Sequence, residues 1–302
     1  PLRLSISPYT SSFVDVDNGE TTVGYGAGAD LKLGLNESFT LDMSLLPDFS
    51  QVRSDNIVKN LGAFEVEFEE QRPFFQEGVD LFNRGDLFYS RRIGGAPIQN
   101  NENLWNLDST ESVINNPTNT RLINVAKISG RNKKGLGIGV MNAITASSNA
   151  LILDDLTGNT REIETSPLVN YNIISLDQNL KNNSSIYFIN LNTTRTGEYI
   201  DANVSALGVD LVSKNSTYAI AGDLKISQRD TNMLNNFLKV GDDDGLSYFV
   251  NVAKIKGNFK YSLSTESKSP GFNPNDLGIN FTTNIRTHSI EFEYNKYNPF
   301  WI

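Results

Sequence analysis

The sequence predicts an all-β protein, an antiparallel up-and-down transmembrane β-barrel, and three observations carry that expectation. Long segments alternate apolar and polar residues with a period of two. The connections between those segments alternate between short and long. Finally, although the chain holds 17 Phe and 11 Tyr in 302 residues, only 38% of it is hydrophobic, and no run approaches the roughly 18 apolar residues a spanning helix needs. A barrel strand turns one residue to lipid and the next to the lumen, so a barrel sequence averages out as polar.

The first clear strand has Val23, Tyr25, Ala27, Ala29, Leu31, Leu33 and Leu35 on one face and Gly24, Gly26, Gly28, Asp30, Lys32 and Gly34 on the other. That is far longer than the about five or six residues usual in a soluble sheet. After a turn at Asn36, Glu37 and Ser38, the positions Phe39, Leu41, Met43 and Leu45 oppose Thr40, Asp42 and Ser44. Gly135 to Val140 alternates glycine with branched aliphatics. Tyr218, Ile220, Leu224 and Ile226 alternate with Ala219, Ala221, Asp223, Lys225 and Ser227. Phe259, Tyr261 and Leu263 oppose Lys260, Ser262 and Ser264, while Ile290, Phe292 and Tyr294 oppose Glu291, Glu293 and Asn295. Two segments, Leu122 to Ser129 and Tyr171 to Gln178, carry apolar residues on both faces.

Tight polar turns fall at 36–38, 131–134, 181–184, 213–216 and 256–258, and longer links at 12–20, 48–118, 147–166, 195–202, 228–245 and 266–285. Short turns on one side and long loops on the other mark an outer-membrane barrel, here of about 12 strands. A soluble sandwich or lipocalin-like barrel also alternates, but with shorter strands and without the two-sided bias in loop length. On this reading Leu33 and Ile220 face lipid, and Asp30, Lys32, Asp42, Asp223, Lys225 and Lys260 face the lumen. Tyr9, Tyr171, Tyr294, Tyr297, Phe300 and Trp301 sit near strand ends, where aromatic girdles form.

Residues 48–118 break the rhythm. A connection of that length is as a rule functional or disordered, and this one is not of low complexity. Its stretch LPDFSQVRSDNIVKNLGAFEVEFEEQRPFFQEGVDLF, followed by LFYSRRIGG, resembles the signature of the DUF5916 proteins, which come mostly from Bacteroidota. The resemblance is specific through roughly 38–95 and runs more weakly through the later hairpins and the NPNDLG stretch, Asn273 to Gly278. It implies a secreted precursor in which a domain similar to family 9 carbohydrate-binding modules precedes an outer-membrane barrel, and it assigns no biochemical activity to that family. That carbohydrate-binding-like domain lies outside this sequence, so no sugar-binding residue carries over. The start at Pro1 without a signal peptide, and the end just after an amphipathic strand, read as an interior piece of a longer chain.

A net charge of −9 excludes nucleic acid as a natural partner, because phosphate neutralisation needs clustered Lys and Arg. With no cysteine there is no disulfide framework or thiolate site. Charge concentrates in the insertion, where Glu65, Glu67, Glu69, Glu70 and Glu77 lie near Arg72, Arg84, Arg91 and Arg92 among interleaved Phe residues. The candidate lumen ion-pair set is Glu65, Glu70, Arg72, Glu77, Arg84, Arg91 and Arg92. Such residues either set selectivity at a constriction or fasten a plug through Arg–carboxylate pairs, and fastening is the favoured reading. A carboxylate pair for glycoside hydrolysis is the weaker one. Asp15 to Glu20 and Asp242 to Gly245 are acidic loops in which calcium binding is outweighed by simple solvation. The single His288 is structural, and no cofactor is expected. The expectation is thus an outer-membrane barrel acting as a pore, transport component or surface scaffold. Lipid would be its partner, with other surface proteins and a glycan ligand as further candidates. The rival is a cell-surface carbohydrate-active hydrolase or glycan-binding protein.

Overall fold

A computed structural model describes residues 3–17, 20–47, 59–60, 62, 64–101, 105–230 and 244–296. Strands β1 (Arg3–Asp17), β2 (Glu20–Gly34) and β3 (Phe39–Leu45) precede the insertion, and β4 (Glu111–Asn115) ends it. Then come β5 (Leu122–Arg131), β6 (Leu136–Thr145), β7 (Ser148–Asp154), β8 (Thr160–Ser166), β9 (Val169–Asn179) and β10 (Ser185–Arg195). The last five are β11 (Asp201–Val212), β12 (Tyr218–Asp230), β13 (Gly245–Lys254), β14 (Phe259–Lys268) and β15 (Ile285–Tyr294). One antiparallel sheet of 12 strands runs β1-β2-β3-β5-β6-β9-β10-β11-β12-β13-β14-β15, and β4-β7-β8 form a separate sheet of 3. The large sheet is the up-and-down barrel wall the alternation predicts, and β1 and β15 are its edges among the described residues.

The turns 35–38, 132–135, 180–184, 213–217 and 255–258 lie together at one end of the wall. Their positions follow from side chains that replace the missing ladder partners. Asn36 Oδ1 accepts from the backbone N–H of Ser38 at 2.7 Å and of Phe39 at 3.0 Å, and Asn132 Oδ1 does the same for Lys134 at 2.9 Å and Leu136 at 3.0 Å. At the other end run the connections 46–121, 146–168, 231–244 and 269–284. Two links expected to be long are short. β1 and β2 stay paired up to Asp17 and Glu20, and the β10–β11 link is only 196–200. A ladder needs only backbone groups, so polar residues beyond the apolar stretch continue the strand.

The insertion covers one face of the wall, here called the inner face. Along β9, Val169, Tyr171, Ile173, Ser175 and Asp177 are buried there, while Ile174 and Leu176 are exposed on the other side. β10 repeats this, with Tyr187, Ile189 and Leu191 buried and Ile186 and Phe188 exposed. The hydrophobic core therefore lies between the wall and the insertion, joining Phe75, Phe82, Leu87 and Ile93 to inner strand residues and to Phe272 and Leu277. This explains the segments with two apolar faces: on Leu122 to Ser129 and Tyr171 to Gln178 the inner side packs against protein, not water. Paired residues share a face, and the registers put Asp30, Lys32, Asp42, Asp223, Lys225 and Lys260 on the inner one and Leu33 and Ile220 on the outer.

Two of the expected girdle aromatics face inward instead. Tyr9 lies opposite Gly28 and its hydroxyl donates to the Leu46 carbonyl at 3.2 Å, and Tyr171 is only 7% exposed. A glycine beside a tyrosine on a sheet leaves a hollow that the ring fills. Tyr294 does stand on the outer face, 70% exposed; Tyr297, Phe300 and Trp301 lie outside the described residues.

The outer face also carries rows of asparagine on the half of β6, β9, β10 and β11 away from the short turns. Asn142 Nδ2 donates to Asn170 Oδ1 at 2.6 Å and Asn172 Oδ1 at 2.9 Å. Asn190 Nδ2 donates to Asn203 Oδ1 and to Ser205 Oγ, both at 2.9 Å. The small sheet is tied through Arg161, which donates to Glu111 Oε1 at 2.5 Å and Oε2 at 2.7 Å. Those bonds, with the backbone N–H of Asp108 adding to them, pull the exposed Glu111 carboxyl down to about 2.

Candidate functional site

The site is the inner face together with the insertion that fills it. A single helical turn, α1 (Pro73–Gln76), opens on a proline whose fixed φ suits a first helical position. Arg72, immediately before it, is 7% exposed and ties the insertion to itself. Its Nε and Nη2 donate to Glu70 Oε1 at 2.9 Å and Oε2 at 2.7 Å. Its Nη1 reaches the Ile93 carbonyl at 2.6 Å, and Nη2 the Ser90 carbonyl at 2.7 Å. The guanidinium stands 4.3 Å over the Phe75 ring, a cation–π contact, and Ser90 Oγ donates to Glu70 Oε2 at 2.5 Å. Burial pushes the Glu70 carboxyl up, but the bonds and charge of Arg72 and the Ser90 hydroxyl outweigh it and hold the group below its usual range.

The insertion docks on glycines. Leu81 and Phe82 lie over Gly137 and Gly139, where an added Cβ would stand 2.7 Å from Leu81 Cδ2 and 3.0 Å from Phe82 Cζ respectively. Ser175 Oγ donates to the Leu81 carbonyl at 2.5 Å. Lys127 is 1% exposed; its ammonium donates to the carbonyls of Phe74 and Glu77 and lies 4.3 Å over the Phe74 ring. Arg84 reaches down to the fully buried Asp177 at 2.5 Å, and Arg131 of the wall pairs with the same carboxylate. The glycine packing sets up a test. Gly139→Leu is expected to destabilise the docked insertion by about 1–3 kcal/mol, the usual cost of overpacking. The readout is faster tryptic cleavage after Arg84, Arg91 and Arg92 in the otherwise folded protein.

The β14–β15 connection joins the same assembly. Tyr89 N–H donates to the Leu277 carbonyl at 2.7 Å, and Arg92 Nε to the Gly278 carbonyl at 3.0 Å. Asp276 pairs with Arg195 at 2.6 Å and with Arg229 at 3.3 Å. The Asn273 to Gly278 stretch that resembled the family pattern thus lies against the insertion that carries the rest of that pattern.

The other candidate residues fall into two groups. Glu65 makes a bidentate pair with Arg92, 2.8 Å on each side, which stays within the insertion as the Glu70–Arg72 pair does. Glu77 pairs across to Lys32 of the wall at 2.8 Å, and the Lys32 bond and charge hold its carboxyl below the usual range. Arg91 is half-buried. The wall residues Lys127, Arg131, Asp177 and Arg195 were missed, as was Asp276 on the β14–β15 connection. For Lys127 the signal was a lone charge at an inner position of an otherwise apolar stretch, Val125-Ala126-Lys127-Ile128.

On the β1–β3 side the fit is loose. A cavity of about 790 Å³ separates the insertion from the wall, lined by Ser5, Ser7, Ser11, Asp30, Asp42 and Lys32 on the wall and by Gln71, Phe74 and Glu77 on the insertion, with Lys127 at its side. Acid catalysis of glycoside cleavage needs a carboxyl raised toward neutrality, and Glu70 and Glu77 are displaced the other way. Among the described residues no group of three or more His, Asp or Glu is placed to hold a metal. Both acidic loops considered for calcium run through undescribed positions, 18–19 and 241–243. His288 stands on β15 opposite Thr265.

Among solved structures, two of OmpT, an outer membrane protein of Vibrio cholerae folded in vitro, are similar to this chain. One, in its trimer form, is 11% identical with a TM-score of 0.33, covering 97% of this chain and 98% of that one. The other is 10% identical with a TM-score of 0.34, covering 97% and 96%. A search of curated proteins gives no match. A family described as a domain of unknown function, DUF5916, matches residues 1–302. The chain belongs to the DUF5916 family.

Proposed function

We propose that this chain forms the wall and the internal plug of an outer-membrane β-barrel, and that it serves passage or scaffolding in that membrane, not covalent chemistry. The observation that carries the reading is the reversal of an ordinary soluble sheet. The outer face exposes Ile186, Phe188, Leu207, Ile220, Leu224, Val250 and Leu263, while the buried charges Lys127 and Asp177 lie inside. Exposed apolar residues over so many neighbouring strands match lipid, not water. The insertion and the β14–β15 connection pack together over the inner face of the central strands, which favours a plugged pore over an open one. Fractionation of cells making the natural full-length protein is expected to place it in the outer membrane, with a heat-dependent shift in gel mobility. A soluble protein with no shift would overturn the reading.

A further inference from the structure

The insertion holds the wall unevenly. Toward β5, β6 and β9 it is fixed by Lys127 on two backbone carbonyls, by Arg84 and Arg131 on the buried Asp177, by Ser175 on the Leu81 carbonyl and by Phe82 over Gly139. Toward β1–β3, among the described residues, the insertion bonds the wall from Glu77 Oε2 to Lys32 Nζ at 2.8 Å, with side chains 66% and 54% exposed. An exposed pair of this kind contributes little and opens readily, whereas breaking the buried set leaves charges stranded in protein. The loose side is also the hollow one, with the cavity of about 790 Å³. Its wall is hydroxyl-rich, through Ser5, Ser7 and Ser11. Its charged lining is three carboxylates, Asp30, Asp42 and Glu77, against two ammoniums, Lys32 and Lys127.

We propose that small hydrophilic solutes, cations ahead of anions, pass between the insertion and β1–β3 through this gap, with the Lys32–Glu77 pair as its latch. The proposal rests on the plugged-barrel reading. It requires only a local opening: the latch separates, the anchored side stays docked, and the serine hydroxyls replace part of the solute's hydration. Lining charge of mixed sign with an acidic excess gives weak cation preference, as rings of charge do in other pores.

Because the chain contains no cysteine, a single introduced thiol reports access to the gap. Ser7→Cys in the natural full-length protein is reconstituted in liposomes. An impermeant, charged methanethiosulfonate is supplied outside only or trapped inside only, and labelling is read by mass. A through-path predicts near-complete labelling in both formats. It also predicts that a cationic reagent reacts faster than an anionic one, and that adding Glu77→Gln speeds labelling several-fold. Ser175→Cys, beneath the docked side, is expected to stay unlabelled. Complementary fractions that sum to one copy, or no labelling at all, overturn the path while leaving an inserted, heat-modifiable barrel intact. Failure of the unmodified protein to insert overturns the barrel reading and the path with it.

Discussion

Arg72→Ala is expected to release the insertion from its folded form while leaving the wall assembled. The guanidinium is 7% exposed and bonds a carboxylate and two backbone carbonyls at once. Its removal strands the Glu70 carboxylate at a site where, among the described residues, Ser90 is the one other side chain donating to it. Losing one partner of a buried pair costs about 3–5 kcal/mol. Amide exchange in residues 66–95 should rise toward the unfolded limit, with the strands of the wall still protected. The pH dependence gives a second and sharper test. In the native chain the Glu70 carboxyl is held below its ordinary 4.5. Its contribution to stability is complete above that value and is lost as the pH falls through the lower folded value. Without Arg72 the burial that pushes the carboxyl up is left largely unopposed, so the sign reverses and acidification steadies the insertion. An acid loss identical in the two proteins would show that the pair does not hold the insertion.

Ile220→Arg is the other change of large expected effect. Ile220 stands on the outer face, 45% exposed, and an arginine facing hydrocarbon costs about 2–4 kcal/mol at the midplane and less near the interfaces. Lys225 lies on the inner face of the same strand, β12, with Asp223 3.4 Å away. Lys225→Arg keeps that charge and should change stability by less than about 0.5 kcal/mol. Reversible folding into lipid measures both, and equal losses at the two positions would mean the faces are assigned the wrong way round.

Most of the wall was legible because a barrel writes itself in a local code. Alternation along Tyr218 to Ser227 sets the two faces of β12, and Asn36, Asn132 and Ser213 mark turns that their own side chains close. The code failed where the inner partner was protein. Tyr171 reads as a girdle residue because a strand-end tyrosine looks the same whether lipid or an insertion lies beside it. The candidate residues were legible as charges but not as pairs. Arg72 meets Glu70 two positions away, which sequence proximity suggests, while Arg84 meets Asp177 and Glu77 meets Lys32, partners fixed only by the register of distant strands. Glycine at 137 and 139 was visible as a pattern, and only the presence of Leu81 and Phe82 gives it a reason.

The asparagine rows have a consequence for the surrounding lipid. On β12 the outward positions stay apolar from Tyr218 through Ile226, whereas on β10 they turn from Phe188 to Asn190 and Asn192. Ser205 of β11 pairs with both Ile226 and Asn190, so amides on one flank stand level with aliphatics on the next. In a bilayer, acyl chains of one length cannot match both flanks. Those beside β9 and β10 must shorten or splay, at a fraction of a kcal/mol per Å. On the proposed membrane reading, a wall of this kind would meet a thinner layer of lipid on the β9–β10 flank than on the β12 flank.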